Sequence, residues 1–384
     1  MDEQIVETLR SGIQRILPAI TDLRHSLHAE PELGLETVKT SLRICEALSG
    51  TSIVLRDPLL GNDVIGELRG NGGKTVCLRA DIDAVPVQEQ NDLPYKSKIP
   101  GIMHACGHDG HTAMLVGAAL VLDSLRDHLS ANVRFVFQPG EEVICAGKTL
   151  VERGACDGCD AAYAIHDWPG LPLGCVSSKE EPLFAAGSHF EIRVKGKGCH
   201  GAMPERGRNP IPAAARIVER LRQMHIELNA AEGAVISVCS FQSGNTGNVI
   251  PDTAKILGTT RYLSQETGSR IEKAIRKIVT QEASEANVTA EMDNDASYDL
   301  PVLNTSEGYR ITRELAERYC DWREAERPYM TMDDFAYYLK GREGAMFLLG
   351  LGESAPDLHS PAFDFNDEAL GVGILMLCLI ALSY

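Results

Sequence analysis

The sequence predicts an α/β protein in which a βαββαβ unit interrupts a larger layer of alternating strands and helices. Three observations carry that expectation. Strand-like and helix-like patterns alternate over residues 1–182 and resume over 296–384, the order changes to β-α-β-β-α-β over 183–295, and chemistry-bearing residues gather just past strand ends in the first part. The length of 384 residues fits two or three domains of about 150 residues each. A chain of that size buries a large core without disulfides or structural metals as staples.

Ile5, Leu9, Ile13 and Ile16 recur at helical spacing, so the chain opens with an amphipathic helix, interrupted or kinked near Pro18. A second helical pattern covers 36–48. The run 74–79 reads as a buried strand ending at the polar Ala80-Asp-Ile-Asp83. Residues 111–127 form a small-residue helix, followed by a strand over 133–137 and another over 161–165 that ends at His166. From about Leu183 the expected elements are strand 189–194, helix 211–224, strands 234–240 and 255–263, helix 268–286 and strand 288–292. That order matches the split-βαβ sandwich, a compact unit that can fold alone. A helix over 304–319 and a strand over 345–349 return to the first layer. The apolar run over 373–384 is too short for a membrane span of about 20 residues and reads as a core helix or strand.

Composition narrows the function classes. Hydrophobic residues at 44% and charged residues at 24% exclude a wholly disordered chain. A formal net charge of -17 argues against nucleic acid and anionic membranes as partners. Acids at positions 2 and 3 and the lack of an apolar core near the N-terminus do not read as a secretory signal. The 11 cysteines, an odd number, suggest reduced thiols in the cytoplasm. Cys156-Asp-Gly-Cys159 is a lone CxxC and reads as a plain loop.

The densest chemical cluster is Met103-His-Ala-Cys-Gly-His-Asp-Gly-His-Thr112. Cys106 and His108 are two apart, and a loop bent at glycine can turn both toward one centre. A thiolate with an imidazole suits zinc, with nickel, cobalt or manganese also compatible. The alternative for these histidines is to cap the next helix. A second cluster, Phe137-Gln-Pro-Gly-Glu-Glu142, places two carboxylates after a strand, where one can ligate and the other handle a proton. Taken alone it also fits a solvated turn. His166 and His359, in Leu358-His-Ser-Pro361, supply further imidazoles, although either by itself reads more readily as an ordinary hydrogen-bonded histidine.

Together these segments resemble a known family. Arg79-Ala-Asp-Ile-Asp-Ala-Val-Pro86, the 103–112 cluster and Gln138-Pro-Gly-Glu-Glu142 are similar to the di-metal aminoacylase and hippurate hydrolase family. This is the branch with auxin-conjugate amidohydrolases and N-acetyl-diaminopimelate deacetylases, more distantly related to carboxypeptidase G. Leu27-His-Ala-Glu-Pro-Glu-Leu-Gly34, Gly196-Lys-Gly-Cys-His-Gly-Ala-Met-Pro204, Gly247-Asn-Val-Ile-Pro251 and Leu358-His-Ser-Pro361 extend the likeness over about residues 20–370.

The resemblance implies a di-metal hydrolase catalytic domain with an inserted ferredoxin-like lid that mediates homodimerisation. It implies two divalent ions (Zn, Mn, Co or Ni), with Cys106 bridging them, Glu142 and His359 on one, and His108 and His166 on the other. Glu141 matches the general base and Asp83 the acid that orients a ligand histidine. His200 matches a lid histidine placed over the active site, and Asn248 and Arg261 match anchors for a substrate carboxylate. The implied reaction is hydrolysis of the amide of an N-acyl amino acid, N-acetyl or aromatic N-acyl. A dipeptidase or carboxypeptidase of the same clan, and a non-catalytic acyl-amino-acid binder, are the competing readings. Glu141 beside Glu142 argues against the binder, which needs no base. The chain departs from the family at Thr331-Met-Asp-Asp-Phe335, where Asp333 stands for a glutamate, and at Val143-Ile-Cys-Ala-Gly-Lys148.

Overall fold

The opening helix runs from Glu3 to Ala29 and continues through Pro18, where the sequence predicts an interruption. Proline removes one donor from the helical ladder. Pro18 and Gln14 both lie on the exposed side, so the Gln14 carbonyl that loses its partner faces water. Ile13, Ile20 and Leu27 anchor the opposite side in the core. The Asp2 side chain caps the helix by accepting from the Gln4 amide at 2.9 Å.

The protein is described here by a computed structural model covering residues 2–384. It divides into two compact units. The larger extends to Leu183 and resumes over Val302–Arg327 and Asp334–Tyr384. The smaller comprises Phe184–Pro301 and Pro328–Asp333, so it continues past residue 295 and takes in a short later return of the chain.

The larger unit is built on an eight-stranded mixed sheet. Its spatial order is Val54–Leu55, Val64–Leu68, Asn132–Gln138, Thr75–Asp81, Ala161–Trp168, Glu343–Gly350, Cys175–Ser178 and Asp321–Glu324. The four central strands, Asn132–Gln138 through Glu343–Gly350, run parallel. They are buried on both faces, which explains their near-continuous apolar reading. The helices Glu3–Ala29, His108–Ser124 and Leu370–Leu382 contribute to one core with this sheet. The apolar C-terminal run is therefore a core helix, and no described helix is long and apolar enough to cross a membrane. The strand Ala161–Trp168 outruns the expected 161–165 and carries His166 and Asp167 within it.

The smaller unit is a four-stranded antiparallel sheet in the order Thr289–Asp295, Ala186–Lys195, Thr253–Tyr262, Val235–Ser243. Its helices Ile211–Glu232 and Gln265–Glu285 lay Ile217, Leu221, Ile271 and Ile275 into a core with Ile192, Val194, Ile236 and Ile256. Strict alternation along Thr253–Tyr262 is the period-two signature of a sheet with one face covered. This is the ferredoxin-like split-βαβ sandwich that the sequence predicts.

Candidate metal centre

The carboxyl end of the central strand Thr75–Asp81 delivers Asp81 and then Asp83 to the sheet edge. The next motif folds back onto that edge because Gly107 adopts φ 79° and starts the helix His108–Ser124. A side chain at Gly107 would place its Cβ 1.9 Å from the Asp167 carboxylate, so only glycine fits. The helix begins three residues earlier than the expected 111, which puts His108 and His111 one turn apart on its first turn.

The fold gathers five of the predicted residues into two sets of donors that share a sulfur. Cys106, His108 and His166 bring one ligand atom each within 4.8 Å of one another, and Cys106, Glu142 and His359 do the same. The Cys106 Sγ lies 3.7 Å from His166 Nε2, and Glu142 Oε1 lies 3.8 Å from His108 Nε2 and 3.1 Å from His359 Nε2. Both His108 and His166 engage a backbone carbonyl through Nδ1, of Asp83 at 2.8 Å and of Asp167 at 2.7 Å. That fixes the rings and leaves Nε2 of each directed into the cluster, the arrangement by which an outer partner orients a ligand imidazole. Glu141 stands beside this group, its carboxylate within 4.8 Å of ligand atoms of His108 and Glu142.

The donor chemistry fits divalent cations. Burial first, and then the charges of Glu142, Asp167 and Glu141, push the Cys106 thiol well above its ordinary range, so a thiolate there calls for a cation. A thiolate, imidazoles and a carboxylate are the ligand types of a borderline ion, and three protein donors per set leave a coordination position open.

A layer of buried charge supports the donors. The Asp83 carboxylate accepts from the backbone amides of Glu141 at 3.0 Å and Glu142 at 3.2 Å, fixing the turn that carries both glutamates. His111 is held between Asp81 at 2.6 Å and Asp167 at 2.8 Å. Arg79 donates to Asp81 at 2.7 Å, to Asp334 at 2.6 Å and to Gln138 at 3.0 Å. Burial lowers the His108 pKa, yet the carboxylates of Asp81, Asp83 and Glu142 outweigh it and carry the ring to about 10. Asp81 is driven the other way: burial raises it, and His108, Arg79 and His111 more than reverse that.

The other predicted residues belong to the smaller unit. His200 lies on the short strand Cys199–His200, pairs with Val249, is exposed, and accepts from the Ala202 amide at 3.1 Å. Asn248 accepts from Gly201 through its backbone carbonyl at 2.8 Å. Arg261, on Thr253–Tyr262, donates to Thr259 Oγ1 and to the Thr260 carbonyl at 2.8 Å.

Four supporting residues escape the sequence reading. Asp81 and His111 sit inside the motifs that carry the resemblance, two residues from Asp83 and one turn from His108. Asp167 directly follows His166. Asp334 has no such local signal, because its partners Arg79 and Gln138 are far away in sequence. It also accepts from the Gly147 amide at 2.7 Å, so the carboxylate beside the departure at Asp333 has a structural task of its own.

Comparison with known proteins agrees with this geometry. The profile of Peptidase family M20/M25/M40 matches residues 77–383. The chain is 36% identical to N-acetylcysteine deacetylase of Bacillus subtilis (strain 168), covering 92% of this chain and 93% of that protein. It is 32% identical to the IAA-amino acid hydrolase ILR1-like 4 of Arabidopsis thaliana, over 94% of this chain and 84% of the relative. It superposes with a TM-score of 0.85 on the Bacillus subtilis YXEP protein, a dinuclear metal binding peptidase from the M20 family, at 34% identity over 96% and 98% of the two chains. The chain thus belongs to peptidase family M20/M25/M40 and is an amide-cleaving hydrolase that uses a pair of metal ions.

Proposed function

We propose that the protein hydrolyses N-acyl amino acids, N-acetyl or aromatic N-acyl, to a carboxylic acid and a free amino acid. One observation carries this reading: two three-donor sets meet at Cys106 with the Glu141 carboxylate beside them. Similarity to an N-acetylcysteine deacetylase and to an IAA-amino acid hydrolase supports the substrate class.

Cys106 would bridge two divalent ions, with Glu142 and His359 holding one and His108 and His166 the other. When bound, such ions supply Lewis acidity that activates water and polarises the scissile carbonyl. Glu141 takes the proton of the attacking water as its oxygen bonds to the carbonyl carbon. It then returns that proton to the leaving nitrogen as the C–N bond breaks. Asp83 holds the glutamate turn through the two amides it caps. On the sequence resemblance we assign His200 to the developing oxyanion, and Asn248 and Arg261 to the substrate carboxylate. Burial lowers the Arg261 pKa while its Nη1 donates to neutral oxygens of Thr259 and Thr260, a setting that suits an anionic ligand.

The ions are drawn from Zn, Mn, Co and Ni, and the protein acts in the cytoplasm, which keeps its free thiols reduced. We further propose a homodimer through the smaller unit. Its edge strand Val235–Ser243 and the 44% exposed Phe241 on it support that surface. The test of function is amine release from N-acetyl amino acids, N-benzoyl amino acids and dipeptides, with each of the four metals supplied in turn. Turnover of the acyl amino acids in preference to dipeptides is expected. Preference for dipeptides with a free amine would replace this reading by a dipeptidase. Light scattering decides the dimer.

A further inference from the structure

The fold adds a third sulfur to the CxxC that reads as a plain loop in the sequence. Cys77, on the central strand Thr75–Asp81, faces the turn that carries Cys156 and Cys159, with Cys77 Sγ 3.8 Å from Cys156 Sγ. Cys159 lies close enough to both for the three thiols to influence one another's ionisation. They are 0%, 0% and 8% exposed. Cys77 precedes Asp81 by four residues, about 13 Å along a strand, so this cluster lies toward the opposite end of the strand from the metal centre.

We propose that Cys77, Cys156 and Cys159 form a separate binding site for a soft or borderline cation, with zinc as the test ion. The 3.8 Å separation of the Cys77 and Cys156 sulfurs is the first support. A tetrahedral zinc about 2.3 Å from each sulfur sets the sulfurs about 3.8 Å apart.

The backbone of the turn is the second. The Cys159 amide closes onto the Cys156 carbonyl at 3.0 Å, and Gly158 supplies φ 74°. Arg134 pins the same turn by donating to the carbonyls of Ala155 at 3.1 Å and Asp157 at 2.7 Å. The two cysteines are thus presented on a braced turn rather than a mobile loop.

Charge is the third. The neighbouring thiols of Cys156 and Cys77, and then Arg134 and Arg342, favour a thiolate on Cys159 against the cost of burial. Zinc entering the site displaces the thiol protons, and three thiolates with one zinc carry one net negative charge that the two guanidinium groups offset. Finally, the wholly buried Tyr338 hydroxyl has no hydrogen-bond partner among the described residues and lies near enough to Cys156 and Cys77 to feel their charge.

The experiment strips the full-length protein of metal under reducing conditions, reloads it with zinc, desalts it and counts zinc per chain. Wild type is compared with the Cys156→Ser/Cys159→Ser double variant, and hydrolysis is assayed on the same samples. One more zinc in wild type than in the variant, with hydrolysis unchanged, is the expected result. Equal zinc in the two proteins overturns the site. Equal zinc together with two fewer titratable thiols in air-exposed wild type would replace the cation by a Cys156–Cys159 disulfide. Should the double variant not fold, cobalt loading of Cys106→Ala decides instead. Thiolate-to-cobalt charge-transfer absorption in that background supports the three-sulfur site, and its absence overturns it. The difference in zinc between the two proteins tests this site, whereas the zinc kept by the double variant tests the catalytic pair.

Discussion

The carboxylate of Asp83 accepts the backbone amide of Glu141 at 3.0 Å and, through its other oxygen, that of Glu142 at 3.2 Å. One buried side chain thereby fixes both glutamates at the end of the strand Asn132–Gln138. Its own backbone carbonyl orients His108 at 2.8 Å. Asp83 positions the proposed base Glu141 and the proposed ligands Glu142 and His108 at once.

Asp83→Asn tests that positioning. An amide keeps one acceptor but turns an NH2 toward the second backbone donor, leaving a buried NH unpaired. Such a group costs about 1–3 kcal/mol. Chemical unfolding should show a loss of that size, and kcat should fall more than KM rises. An unchanged unfolding midpoint with unchanged kcat would show that the cap does not hold the turn.

Glu142→Gln should weaken metal retention, because a neutral amide is a poorer ligand than a carboxylate. The purified variant should carry less metal than wild type after desalting, and excess metal should partly restore turnover. Full metal content at low activity would remove Glu142 from the ligand set.

Stability should fall between neutral and alkaline pH through His28. Its Nδ1 lies 2.8 Å from Asp109, and Arg24 reaches the same carboxylate at 3.1 Å. Burial lowers the His28 pKa, but Asp109 and then Glu89 more than reverse this and raise it from 6.5 to about 9. A pKa raised in the fold gives stability that is complete below pH 6.5 and is lost as pH rises through about 9. At 1.36 kcal/mol per unit, the loss is about 3 kcal/mol. Unfolding of the metal-loaded protein should show that decline, and His28→Gln should flatten it. An equal decline in the variant would assign it to other groups.

Much of this organisation is legible in the sequence because it is local. The βαββαβ order follows from period-two and helical patterns in consecutive segments, and Cys106, His108, Glu141 and Glu142 sit in short motifs next to glycines. What escapes depends on long-range contact. Asp334 meets Arg79 across 255 residues, and Cys77 joins Cys156 across 79. Neither pairing leaves a trace in local periodicity. Pro18 escapes for a different reason: anchoring by Ile13 and Ile20 outweighs the lost helical hydrogen bond, and only the packed structure shows that the proline faces water.

The most direct test of the account is steady-state hydrolysis of an N-acetyl amino acid by Glu141→Gln, with metal content measured on the same sample. General acid–base catalysis is typically worth about 10² to 10⁴ in rate, and in the proposed mechanism Glu141 serves both proton transfers, so a loss near the upper end is expected. The loss should appear in kcat, with KM and bound metal close to wild type. Undiminished turnover, or recovery with excess metal, would contradict the assignment of Glu141 as the base beside a two-ion cluster.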